Sequence, residues 1–554
     1  MRTRLRQLIV LACLVLVGTG FAAETSAVSA AIPHLEKRGK ATQLIVDGKP
    51  FLALGGELLN SSSSSLAYMK PIWPRLTAMH LNTVLAPVSW ELIEPQEGKF
   101  DFTIVDGLVQ EARQHELRLV FLWFGSWKNT YSSYAPEWVK RDIKRFPRVQ
   151  ARDGSGSERL STFSEVNRNA DAHAFATLMR HLRETDSDAH TVIMVQVENE
   201  VGVIPDSRDR STAANDAFTG PVPKELTRYL QQHRETLVPE FRAVWEAEGS
   251  KTTGTWGEVF GKSALTDDFF MAWHYAKYIN AVTAAGKAEY PLPMFANAAL
   301  IRPNYLPGQY NSGGPLPHSM DIWRAGAPNI DFLSPDIYFK EFAEWSRKYH
   351  RDGNPLFVPE AWGNAEGAAN VFYAIGQENA IGFSPFAIDS QESGAAQGKV
   401  ANLLLATSYG TLTHLTPLIL EKQATGEIAA MILEGDSQRA GRVSLGDYTM
   451  SLSRAKSGGE KAQAERVSAL FLQTGPDEYL VAGSGELIVS FTVNSPGLPI
   501  AGIASIDEET FTDGQWVAGR RLNGDENSQG QALKLNSSDP SRSIIYRVRL
   551  YRYR

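Results

Sequence analysis

A chain of 554 residues in which eight apolar runs alternate with helical periodicity, and in which short turn-bounded strands take over near residue 416, predicts an α/β fold. The expected architecture is a (β/α)8 TIM barrel with insertions over residues 31–415, followed by an all-β sandwich domain over 416–554. A doubly wound sheet would need a glycine-rich phosphate turn after its first strand. Here Gly55-Gly56 runs instead into Glu57 and a serine run at 61–65, so that alternative is set aside.

The eight runs are Phe51–Leu58, Thr83–Trp90, Arg118–Trp127, Thr191–Glu200, Pro291–Leu300, Asp331–Phe339, Pro355–Gly363 and Ala380–Asp389. They are apolar with little alternation, the pattern of strands buried on both faces. Pro71–His80, Phe102–His115 and Asp171–Arg183 carry apolar residues at helical spacing between them. Val201–Tyr290 is mostly helical, and its polar part, Pro205–Asn215, is expected to form a mobile loop over the barrel mouth. Lys399–Leu418 can close the barrel as its last helix. From Ile428 onward, stretches such as Arg442–Ser453, Arg466–Gln473, Glu478–Ala482, Glu486–Val493, Gly502–Ile506 and Ser543–Tyr551 read as sandwich strands, with turns at Asp513-Gly514 and Asn523-Gly524.

Composition narrows the function classes. The formal net charge of −7 comes with no basic stripe, so no nucleic-acid partner is expected. Arg2, Arg4 and Arg6, the apolar run Leu8–Val17 and small residues up to Ala31 have a secretion signal's layout, so residues 1–30 are expected to be removed and the protein to reach the periplasm. No later run reads as long enough to span a membrane. The one cysteine, Cys13, lies inside the signal, and none of the 11 histidines forms an H-x-H or H-E-x-x-H pair. No metal and no cofactor are therefore expected.

The chemistry is expected where barrel strands end. The fourth run terminates in Glu198-Asn199-Glu200, and the seventh, LFVPE, in Glu360, followed by Ala361-Trp362-Gly363. Two carboxylates facing each other across a barrel mouth match the pair that glycoside hydrolysis needs, with retention at ~5 Å separation and inversion at ~6.5–9.5 Å. Glu200 sits at the rim where substrate reaches it, whereas Glu198 lies deeper, as an acid that would hydrogen-bond a neighbour and shape the pair's pKa. Trp127 and Trp362 are candidate stacking platforms for a sugar, and Glu57 ends the first strand as a third acid.

Three ordered segments carry a resemblance. VQVENEVG resembles the Q-V-E-N-E-Y-G motif of family 35 glycoside hydrolases. His80–Phe102 resembles that family's G-L-N-T-V…W-N-x-H-E-P-x-x-G-x-F-D-F segment, and Pro136-Glu137-Trp138 follows in order. The resemblance implies a β-galactosidase-type barrel with Glu200 as acid/base, Asn199 on the sugar 2-hydroxyl and Glu360 as nucleophile. It also implies a tyrosine on the nucleophile, for which Tyr338 is placed. The family's A-E-W after strand three is Gly125-Ser126-Trp127 here, so Ser126 stands where a carboxylate would hold sugar hydroxyls. Pro87 and Glu91 depart from the pattern on strand two. The expectation is a retaining, exo-acting glycoside hydrolase releasing terminal β-linked galactose from oligosaccharides such as galactosylated hemicellulose fragments. Another β-glycoside specificity, or a carbohydrate-binding barrel without turnover, are the alternatives.

Overall fold

The structure, a computed structural model, describes residues 31–390, 396–435, 438–455, 466–494, 500–512, 515–536 and 545–554. The expected signal at 1–30 and the turn at Asp513-Gly514 lie outside the described residues, as does the start of the last expected strand, at Ser543.

Eight parallel strands build the barrel: β1 (Ala53–Glu57), β2 (Thr83–Ser89), β3 (Arg118–Lys128), β4 (Val192–Asn199), β5 (Met294–Ala299), β6 (Phe332–Ile337), β7 (Phe357–Val358 and Glu360–Ala361) and β8 (Gly382–Phe383). Pro359 interrupts β7. The part before it pairs with β8, the part after it pairs with β6, and β8 pairs with β1, so the ring closes. All residues of β2 and β4 are buried, as the runs without alternation predicted. Leu85, Leu122, Ile193, Phe295, Phe332 and Phe357 cluster with Leu44 and Val46 of a small antiparallel sheet that precedes the barrel.

Four long helices accompany the ring: α1 (Glu165–Asp186), α2 (Ala264–Glu289), α3 (Ala365–Gln377) and α4 (Ala396–Thr425). Part of α4, Asn402–Thr425, is long and apolar enough to cross a membrane, contrary to the expectation that no later segment is. In the fold it is the closing barrel helix. Leu405, Tyr409, Leu412, Leu415 and Ile419 are buried, and Tyr409 Oη donates to the carbonyl oxygens of Gly55 (2.8 Å) and Phe383 (3.0 Å). The helix continues through Pro417, a residue that ordinarily stops one, so the first sandwich strand begins at Ile428 and position 416 falls inside α4.

The polar segment at 205–215 is tied down instead of being left to solvent. Arg210 pairs with Asp206 (2.5 Å) and Asp267 (2.9 Å). Buried Asp209 accepts from the backbone of Gln150 and Ser211 and from Ser161 Oγ.

The C-terminal region is a sandwich of a six-stranded and a four-stranded sheet. The strand Arg466–Gly475 explains how it docks. Val467, Ala469 and Phe471 join Tyr448, Met450, Leu487 and Val489 of the other sheet in the sandwich core. Leu470 and Leu472 point the other way and belong to the barrel's own core, together with Ala430 and Ile432 of the neighbouring strand Ile428–Glu434. Gly376 of α3 fits there because a Cβ would strike Leu470 and Ala430. Two cores therefore share one sheet.

Leu470→Ala should cost about 2–5 kcal/mol, the range for a large-to-small change in a filled core. In thermal unfolding the whole chain should melt earlier in one transition. A barrel transition left in place beside an early sandwich transition would show that the two parts do not stabilise each other.

Candidate active site

The fourth strand ends in an unusual backbone. Glu198 (φ 63°) and Glu200 (φ 45°) both take the left-handed conformation, which side chains with a Cβ rarely adopt. Regular alternation would send both carboxyls to the same face. The left-handed residues break that alternation, and the two acids part company.

Glu198 turns away from the mouth into a buried pair with Asp171 of α1. Its Oε1 accepts the Ser126 N–H at 3.0 Å and its Oε2 the Trp127 N–H at 2.6 Å. Asp171 accepts from Trp123 Nε1 (2.9 Å) and Ser126 Oγ (2.6 Å) and hydrogen-bonds Glu198. Burial, then the Asp171 charge, pushes the Glu198 pKa well above the carboxylate range, so the two acids share a proton. Gly125 is required beside them, since a Cβ would strike Trp123 and lie within 2.6 Å of Glu198 Oε1 and 2.7 Å of Asp171 Oδ1.

This arrangement corrects two sequence expectations. Ser126 and Trp127 do not line the mouth. Both are fully buried, with Ser126 Oγ 2.7 Å from Tyr278 Oη and Trp127 wedged edge-on between Tyr275 and Tyr278 of α2, its Nε1 on the Leu160 carbonyl. The pairing of β3 with β4 slips between Trp123 and Lys128, where the Ser126 and Trp127 N–H groups turn onto Glu198. Lys128 pairs with Asn199 and becomes the residue that β3 delivers. Sequence reasoning missed it, although a lone lysine ending an apolar strand was the available signal.

At the mouth the structure brings together Glu57, Lys128, Asn199, Glu200, Tyr338 and Glu360. It adds Asp336, which sequence reasoning also missed, and which stands one residue before the end of β6 in register with Glu360. One oxygen each of Glu200, Asp336 and Glu360 lie within 4.8 Å of one another. A single cation could bridge that set, but the buried ammonium of Lys128 already supplies positive charge to these acids, so we assign no metal. Tyr338 Oη donates to Glu360 Oε2 at 2.8 Å, and Asn199 Nδ2 to Glu360 Oε1 at 3.3 Å. Asn297 ties the rim together, accepting the Glu200 N–H (3.0 Å) and donating to Asp336 Oδ2 (2.7 Å). Trp362, 50% exposed, stands edge-on to Tyr338 with its Nε1 on the Tyr338 carbonyl.

Burial, then the Glu360 charge, raises the Glu200 pKa to about 7, against the opposing pull of Lys128 and Asp336. Glu57 and Asp336 are pushed well up, by burial first and Glu360 second. Burial works against the charge of Lys128, but Glu360, Glu57, Glu200 and Asp336 together raise its pKa and keep it an ammonium. Among the described residues neither oxygen of Glu57 has a hydrogen-bond partner, nor has Asn199 Oδ1. Lys128 Nζ lies 5.1 Å from the Phe124 ring centre and makes no hydrogen bond among the described residues. Lys128 also lines a cavity of about 430 Å³ with Asn60, Asn129, Tyr131, Tyr134 and Glu158. A larger cavity of about 740 Å³ reaches Phe332 and Leu333 at the start of β6, the opposite end of the strand from Asp336, and holds none of these groups.

Residues 68–358 match the model of glycoside hydrolase family 42, described as β-galactosidase, and residues 405–534 match a domain of unknown function, DUF5597. The segments that resemble family 35 fall inside the first match. The matching family is thus 42 and not 35, while the coarser reading, a glycoside hydrolase with a β-galactosidase domain, stands. A β-galactosidase of Xanthomonas manihotis is 31% identical over 176 residues, which is 30% of this chain and 26% of that protein. A β-galactosidase structure from Bacillus circulans sp. alkalophilus aligns with TM-score 0.45 at 15% identity, covering 67% of this chain and 57% of that one. One from the psychrophilic Marinomonas ef1 aligns with TM-score 0.46 at 10% identity, covering 68% and 62%. The chain spans about a quarter of the curated relative's length and less than two thirds of each structural one.

The Glu198–Asp171 pair makes stability depend on pH. Because the folded pKa of Glu198 is raised, its contribution is full below the unfolded carboxylate pKa and is lost as pH rises through the folded value. Asp171→Asn supplies a neutral partner and removes the like charge. Denaturant midpoints taken from about pH 5 to about pH 9 should fall less steeply for the variant than for the parent. Parallel curves would mean that the pair does not share a proton.

Proposed function

Because this chain belongs to glycoside hydrolase family 42, the β-galactosidase family, we propose that it is a retaining, exo-acting glycosidase that releases terminal β-linked galactose from oligosaccharides. The observation that carries the reading is the pair Glu200 and Glu360, on facing strands, with carboxylate oxygens within 4.8 Å. That spacing fits the ~5 Å class, in which no water separates the two groups and one of them attacks the sugar.

Glu360 attacks the anomeric carbon while Glu200, protonated, gives its proton to the leaving oxygen; the glycosidic bond breaks and a glycosyl ester forms on Glu360. The Glu360 charge, which together with burial raised the Glu200 pKa, is then gone. Glu200, now a carboxylate, takes a proton from water, which attacks the same carbon and frees Glu360 with net retention. Tyr338 holds the nucleophile's second oxygen, and Asn199, on its first, is placed to reach the neighbouring sugar hydroxyl. Trp362 offers its ring at the lip.

The partners missing from Glu57, Lys128 and Asn199 are what a neutral sugar supplies, since each hydroxyl donates one hydrogen bond and accepts others. A uronic acid would bring a further carboxylate among four acids served by one lysine. A different neutral sugar is the second reading, favoured by Lys128, a cation at the end of a strand where the resemblance called for a carboxylate. Cleavage of the N-terminal signal and a periplasmic location belong to the same proposal, and the N-terminal sequence of the protein purified from its native host would test them.

On a panel of nitrophenyl glycosides, the β-galactoside should be turned over and the β-galacturonide should not; preference for another neutral sugar would select the second reading. kcat/KM should fall as pH rises through about 7, where Glu200 loses its proton. Glu360→Gly should abolish turnover, with azide restoring it as the α-glycosyl azide; ordinary activity in that variant would remove Glu360 from its role. Lys128→Met should lower kcat/KM about 10- to 100-fold, the worth of a hydrogen bond to a charged group.

A further inference from the structure

The sandwich domain sends two charged residues into the barrel, and both reach the same segment. Glu434 ends the strand Ile428–Glu434, Arg466 begins the strand Arg466–Gly475, and the two are cross-strand neighbours. Arg466 Nη2 donates to the carbonyl oxygen of Phe339 at 2.7 Å, and Nη1 to Asn370 Oδ1 of α3 at 3.0 Å. Glu366, at the start of α3, lies 3.6 Å from the same guanidinium, whose side chain is 2% exposed. Glu434 Oε1 accepts the N–H of Ala343 at 3.0 Å, one of the unpaired donors at the start of the helix Phe342–Tyr349, and the Phe342 N–H also faces it.

The gripped stretch, 339–343, directly follows Tyr338, the residue that holds Glu360. Domain docking does not need this grip, because Leu470, Leu472, Ala430 and Ile432 already bury the sheet against the barrel. A guanidinium enclosed this far is costly unless its donors are used, and here they go to a loop carbonyl, a helix side chain and a carboxylate. An arginine fork can span the loop and α3 at once, which a single ammonium cannot.

We propose that Arg466 and Glu434 are positioning residues for the catalytic centre: by clamping 339–343 from the sandwich side, they hold Tyr338 on Glu360. This assigns a role to the domain of unknown function and rests on Glu360 being the nucleophile. Neither residue touches substrate.

The test is a cycle with Tyr338. Arg466→Ala should lower kcat about 10- to 100-fold with little change in KM, in line with the ~10²-fold that a displacement of about 1 Å can cost. The same substitution made on top of Tyr338→Phe should cost nothing more, because the bond it protects is already gone. Added guanidinium should restore Arg466→Ala, and Arg466→Lys should remain impaired. Glu434→Ala serves as the second variant if Arg466→Ala does not fold, with the same dependence on Tyr338. Losses that multiply with that of Tyr338→Phe, or a lowered melting temperature with unchanged kcat, would overturn the clamp. Full activity in Glu360→Gly would overturn the nucleophile assignment and the clamp together, whereas azide rescue of Glu360→Gly beside multiplicative losses would overturn the clamp alone.

Discussion

The arrangement of the mouth depends on one buried interaction, the proton shared by Glu198 and Asp171. With its two oxygens Glu198 takes the N–H groups of Ser126 and Trp127, and so pulls the end of β3 out of register. An ionised carboxylate pair at that depth would be prohibitively costly, and a neutral apolar residue would leave two backbone donors unpaired. One proton between two acids avoids both. The geometric result is that Lys128, and not Ser126, faces the acids of the mouth.

The electrostatics of the mouth follow from that placement. Four carboxyl groups in a buried rim cannot all ionise beside one ammonium. Burial and mutual repulsion raise Glu57, Asp336 and Glu200, while Tyr338 and Asn199 both donate hydrogen bonds to Glu360. Environments that push apart the pKa values of neighbouring acids are how a single site can hold a proton donor and a nucleophile together. Asn297 makes the arrangement rigid, since it reads the Glu200 backbone with its oxygen and Asp336 with its nitrogen.

The second domain is part of the same mechanical unit. The strands Ile428–Glu434 and Arg466–Gly475 of its six-stranded sheet are apolar on both faces, one closing the sandwich and one closing the barrel's helical layer. Charged residues at the edge of that shared sheet end on the segment after Tyr338. A barrel alone would hold this segment only through the packing of Phe342 on Tyr373 and Phe383 and through its own helix, without the charged contacts from the sandwich.

By itself the sequence determined the barrel and placed two acids, Glu200 and Glu360, at the ends of facing strands. Buried strands have a local signature, and the residue that ends such a strand inherits its position from it. Tyr338 and Glu57 were legible for the same reason. Tertiary structure alone decided what the periodicity of two could not carry. The left-handed backbone at Glu198 and Glu200 breaks alternation, and the register slip between Trp123 and Lys128 exchanges Ser126 for Lys128. Asp336 and Asn297 sit inside runs whose apolar character hid them, and their roles come from strands adjacent in space and distant in sequence. The reach of Arg466 across 127 residues to Phe339 is likewise a product of docking, which no local pattern encodes.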